Sequence, residues 1–166
     1  MRPRIITSIL IAVLIAGVIS SCKKDEEEYV LENQPVTGNF TYVVTSMTPT
    51  AFDTASGMPI AFAITMEGNG TVTEMGNLTM DASFNFNLVT GQGTDFVTTY
   101  SGDTPTDTFI STGTSQQQQD GTILVNESFS NGTGMFGKIK GGGVTTVILN
   151  QTSSGGTGTA AWTVTY

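Results

Sequence analysis

Residues 78–88 read LTMDASFNFNL, eleven residues in which apolar and polar side chains alternate almost without a break. Leu78, Met80, Ala82, Phe84, Phe86 and Leu88 fall on one side, and Thr79, Asp81, Ser83, Asn85 and Asn87 on the other. Successive side chains of a strand point to opposite faces, so this period of two is the mark of a half-buried β-strand. The same rhythm runs outward in both directions. In MPIAFAITME (58–67), Ile60, Phe62, Ile64 and Met66 line up, and in GNFTYVVTSM (38–47) Phe40, Tyr42 and Val44 share a face. Downstream, strands are expected at 95–101, 106–112, 122–129, 144–150 and 159–166. Beyond the N-terminal segment, no stretch repeats apolar residues at helical spacing over three turns.

Gly-rich punctuation separates these strands: GNG at 68–70, TGQG at 90–93, SGD at 101–103, QDG at 119–121 and GGG at 141–143. Short strands at such intervals, each with one apolar face, predict an all-β domain over 38–166. The architecture is an antiparallel barrel of about eight strands, with a β-sandwich as the alternative. Residues 133–140 read either as a short strand or as a turn that plugs one end, with Phe136 inserted into the barrel.

Composition removes many functions. The chain has no histidine and a single cysteine, which excludes His-dependent nucleophilic catalysis and the usual zinc ligands. No phosphate-binding GxxxxGK[ST] loop is present. No basic residue lies between Lys24 and Lys138, so nothing can neutralise the phosphates of a nucleic acid. No cofactor is expected.

The N-terminus is built differently. Arg2 and Arg4 precede sixteen uncharged residues, Ile5 to Ser20, ending ISSC. A spanning helix needs roughly 20 apolar residues, so this run suits a cleaved signal peptide over 1–21 better than an anchor helix. Its end resembles the lipobox of bacterial lipoproteins, which implies cleavage before Cys22 and acylation of that residue. Acylation also removes the liability of an exposed, unpaired thiol, and two or more acyl chains give stable membrane attachment. Cleavage leaves four cations against fourteen acids, a net charge of −10. Electrostatic adhesion to anionic lipid is thereby excluded, and the lipid on Cys22 is the expected membrane contact. The run Lys23, Lys24, Asp25, Glu26, Glu27, Glu28 cannot collapse into a core and reads as the start of a solvated tether over 22–37. It also resembles the surface-export signal of Bacteroidetes lipoproteins, which implies the outer face of the outer membrane.

Three further stretches, GNGTVTEMG (68–76), SGD (101–103) and NGTGMFGKIKGGG (131–143), resemble in order the Gly-rich motifs of small secreted proteins with an allene-oxide-cyclase-like, calycin-like barrel. The resemblance implies a barrel over roughly 38–166. Glu74 stands where that group often has histidine, so no role of that histidine carries over.

The candidate chemistry is sparse. Glu67 and Glu74 flank GNG and would form a carboxylate pair at one rim, the machinery of glycoside hydrolysis. Asp103 and Asp107 offer oxygens of the kind Ca²⁺ takes, though without its loop spacing; a turn-stabilising role for Asp103 is the stronger reading. Asp53-Thr54-Ala55 resembles the O-glycosylation motif of Bacteroidetes secreted proteins, making Thr54 the acceptor. Trp162, Val164 and Tyr166 share a face that reads as core before it reads as a ligand wall. The expected protein is a lipid-anchored surface module without enzymatic character, which binds a small apolar or glycan ligand or serves a structural or interaction role. The alternative is a hydrolase or cyclase-like enzyme using Glu67 and Glu74.

Overall fold

Period-two alternation carries most of the described residues into sheet. The computed structural model describes residues 32–150 and 154–166. The expected signal peptide, Cys22, the Lys23–Glu28 run and most of the expected tether lie outside the described residues. Eight strands follow in order: β1 (Gln34–Phe52), β2 (Pro59–Val72), β3 (Gly76–Asn87), β4 (Gln92–Ser101), β5 (Thr108–Gln117), β6 (Ile123–Ser130), β7 (Lys140–Leu149) and β8 (Gly155–Thr165). Each pairs antiparallel with its sequence neighbours. β8 pairs back onto β1 from Gln34↔Val164 to Val43↔Gly155, closing the barrel. A sandwich is thereby ruled out, and closure removes most sheet edges.

In the stretch that decided the fold, Leu78, Met80, Ala82 and Phe86 are buried and Phe84 is half-buried. Leu88 departs from the pattern and is exposed. The Asn87 side chain accepts the N–H groups of Val89 and Thr90, which turns the chain before Leu88 can point inward.

Two expected turns lie inside strands. GNG at 68–70 sits within β2 and GGG at 141–143 within β7. These glycines serve close approach. A Cβ on Gly70 would run into the Phe40 ring, and one on Gly142 into the Glu127 carbonyl oxygen. Strand β1 also begins at Gln34, inside the expected tether. Thr37 directs its N–H and C=O at Thr73 of the β2–β3 turn. By the two-residue repeat Pro35 faces the same side, where β2 has ended, so its missing N–H costs no ladder bond.

The two ends of the barrel differ. One gathers the β2–β3, β4–β5 and β6–β7 connections together with Gln34 and Tyr166. There a single 3₁₀ turn, Gly134–Phe136, drives Phe136 into the interior, where it is 0% exposed. Its ring meets Phe109 at 5.1 Å and Tyr166 at 5.4 Å between centroids. The Asp107 carboxylate accepts the Met135 N–H, and Thr133 bonds Thr108 and the Thr106 carbonyl, which pins this plug in place. At the other end the β1–β2 hairpin projects past β8, whose pairing with β1 stops at Val43. Register shifts around Pro49 and Ala51 break the regular edge there.

Candidate functional site

The polar centre of the barrel is Glu127, on β6. TILVNESFS (122–130) alternates, and Glu127 shares the inward face with Ile123, Val125 and Phe129. It is 6% exposed. Oε1 accepts from Tyr100 Oη at 2.9 Å and Ser111 Oγ at 3.0 Å. Oε2 accepts from Thr145 Oγ1 at 2.5 Å and Trp162 Nε1 at 3.1 Å. The indole N–H is shared with Thr145 Oγ1, also at 3.1 Å. One carboxylate thus joins β4, β5, β7 and β8 to its own strand. All four partners are neutral, so burial pushes the Glu127 carboxyl up from 4.5, and the four hydrogen bonds pull it part of the way back. Burial, then the adjacent Glu127 charge, pushes the Tyr100 phenol well above its ordinary value.

Aromatic rings continue this centre to the plugged end. Trp162 meets Phe129 at 4.9 Å and Tyr100 at 5.4 Å, and Phe109 lies 5.2 Å from Phe129 and 5.1 Å from Phe136. On the other side of Glu127 the interior narrows to a cavity of about 50 Å³ between Phe40, Tyr42, Met66, Met80, Phe84 and Phe96. Drug-sized ligands occupy pockets of roughly 300–1,000 Å³. A raised carboxyl beside a cavity is the usual profile of an acid–base catalyst, but this cavity admits no substrate of ordinary size. Glu127 is a structural hub. Two buried hydroxyls, Thr98 Oγ1 and Ser115 Oγ, make no hydrogen bond.

The residues singled out from sequence lie elsewhere. Glu67 is exposed on the outer face of β2, level with Asp81 of β3. Glu74 is exposed in the β2–β3 turn with φ 64°. Five residues of strand separate Glu67 from Val72, about 16 Å at 3.3 Å per residue. Glycosidase carboxylates stand about 5–9.5 Å apart, so these two are not brought together, because GNG continues the strand instead of reversing it.

Asp103 Oδ1 accepts from Asn77 Nδ2 at 3.3 Å, a bond to strand β3 and not within its own turn. Asp107 is committed to Met135. Among the described residues no three of His, Cys, Asp and Glu gather as metal ligands would. Thr54 is exposed in the β1–β2 turn. Asp53 shapes that turn by accepting from the Ala55 and Ser56 N–H groups and the Ser56 hydroxyl, bonds that hold its carboxyl below the ordinary range. Trp162 and Val164 are core, and Tyr166 packs on the plug while its hydroxyl donates to the Glu74 carbonyl at 2.8 Å.

A concave surface also lies on the outside of the barrel. A groove of about 760 Å³ runs over β8, β1, β2 and β3. One row across it is Thr159, Asn39, Thr71 and Asn77, placed side by side by strand register. The second row, two residues along each strand, is Thr157, Thr41, Asn69 and Thr79. Thr71 donates to Asn77 at 3.1 Å and Thr41 to Asn69 at 3.4 Å. Beneath lie Gly70 and Gly158, so the sheet has no inward side chain at those points and Phe40 fills in from below. Set against protein-family models, curated proteins and solved structures, the chain matches none of them.

Proposed function

We propose that this chain is a lipid-anchored module displayed at the outer surface of the outer membrane, working through its exterior and without catalysis. The observation that carries the reading is the filled interior: an aromatic column, a plug and a buried polar hub leave about 50 Å³ free. A barrel so packed offers no room for an apolar ligand of ordinary size, and its conspicuous acids are not paired for hydrolysis. Display rests on the signal-like segment, on Cys22 and on the acidic run behind it. Gln34 is twelve residue steps from Cys22, a reach of at most about 40 Å. Tethering there would direct the plugged end toward the bilayer and the β1–β2 hairpin away from it. The likeness to allene-oxide-cyclase-like barrels belongs to the same proposal and rests on the three Gly-rich stretches.

Intact-mass analysis of the protein from native membranes tests the anchor. The expected N-terminus is acylated Cys22, and added protease should remove the barrel from whole cells. A retained leader, a free thiol or full protection from protease would contradict the proposal. Peptide mapping of the same protein is expected to show a glycan on the peptide containing Thr54, an exposed residue of the β1–β2 turn.

A further inference from the structure

We infer that the outward groove over β8, β1, β2 and β3 binds an unbranched, neutral glycan laid across the strands. This goes beyond the proposed display role and rests on its premise that the exterior is the working surface. The groove walls carry amides and hydroxyls, each able to donate and to accept, which is the chemistry that matches sugar hydroxyls. The strands hold these side chains in fixed register, and the Thr71–Asn77 and Thr41–Asn69 bonds orient the amides before any ligand arrives. Such pre-arrangement lowers the cost of ordering on binding.

Charge narrows the ligand class. Asp103 is the single charged group lining the groove, and Glu67 and Asp81 stand one step beyond the second row. An anionic polymer would meet acids at the end and along one border, with no basic residue lining the groove. A neutral polymer meets no such penalty. Shape narrows it further. Strands lie about 4.8 Å apart, so each row spans about 14 Å from β8 to β3, and the two rows run about 7 Å from one another. A chain of sugar rings lying between them meets polar groups on both edges. A branch point would project out of the groove and gain nothing.

Calorimetric titration with unbranched neutral oligosaccharides, from disaccharide to hexasaccharide, tests this. Affinity is expected to rise with length and then level off once the rows are filled. Asn39→Ala and Asn69→Ala should each weaken the best ligand by about tenfold or more, whereas Thr112→Ala, on the outer face of β5, should leave it unchanged. Both asparagines are exposed, and thermal melts of the variants verify folding. Affinity independent of length, a preference for anionic chains, or indifference to the Asn39 and Asn69 changes would overturn the inference. If no glycan binds, a parallel titration with an apolar alkane alcohol, read by Trp162 emission, separates the causes. An unresponsive Trp162 means the groove assignment alone fails, whereas a shifted emission means the exterior is not the working surface.

Discussion

Exchanging Glu127 for leucine is expected to cost roughly 3–5 kcal/mol of stability, although the side chain is similar in size and apolar. The loss comes from what is left behind. Tyr100, Ser111 and Thr145 would each keep a buried hydroxyl with no acceptor, while Trp162 would retain only Thr145. Each abandoned donor costs about 1–3 kcal/mol, partly offset because a desolvated carboxylate is removed as well. Glu127→Gln behaves differently: one oxygen still accepts, and the hydroxyls can turn to receive from the amide. It should stay near wild type at neutral pH.

The pH dependence separates these cases. Glu127 has a raised native value, so between the unfolded value near 4.5 and that higher value the folded state binds more protons. Wild-type stability therefore falls as pH rises through this window, and the carboxyl's full contribution is present only below it. The lowered Asp53 and Asp120 carboxyls act with the opposite sign, but wild type and Glu127→Gln share them, so they cancel in the difference. Urea melts across pH 4–8 should show wild type losing ground to Glu127→Gln as pH rises. A difference that stays flat with pH would mean that Glu127 is not held in the environment described.

Phe136→Ala is the second large effect, with an expected loss of about 3–5 kcal/mol. The ring is wholly buried between Phe109 and Tyr166 and closes one end of the barrel. Its truncation leaves a void that the 3₁₀ turn cannot collapse into, because Asp107 and Thr133 hold that turn in place. Phe136→Leu should recover most of the loss. Denaturant melts decide the matter. An alanine variant within 1 kcal/mol of wild type would mean that the turn is a surface loop and not a plug.

Alternation made the strands legible, and it made Glu127 legible too. An acid at the inward position between Val125 and Phe129 puts a charge on the apolar face of a strand. Reading acids by their nearness to turns pointed instead to Glu67 and Glu74. The GNG run misled because glycine serves two ends. It permits tight turns, but it also lets strands and rings approach closely, as Gly70 does above the Phe40 ring and Gly142 beside the Glu127 backbone. Sequence spacing alone does not separate these uses, since the partner is contributed by a distant strand. The outer groove was hidden for the same reason. Asn39, Thr71, Asn77 and Thr159 become a row only once the barrel closes and register sets them abreast.

Central to the account is an interior closed around Glu127, and Trp162 reports on it directly as the one tryptophan in the chain, 2% exposed and bonded to that carboxylate. Acrylamide quenching of its fluorescence is the measurement. A closed interior gives a blue-shifted emission that acrylamide barely reduces and that added alkane alcohols leave unmoved. Efficient quenching, or a shift on adding such an apolar molecule, would show an open, ligand-accepting cup and contradict it.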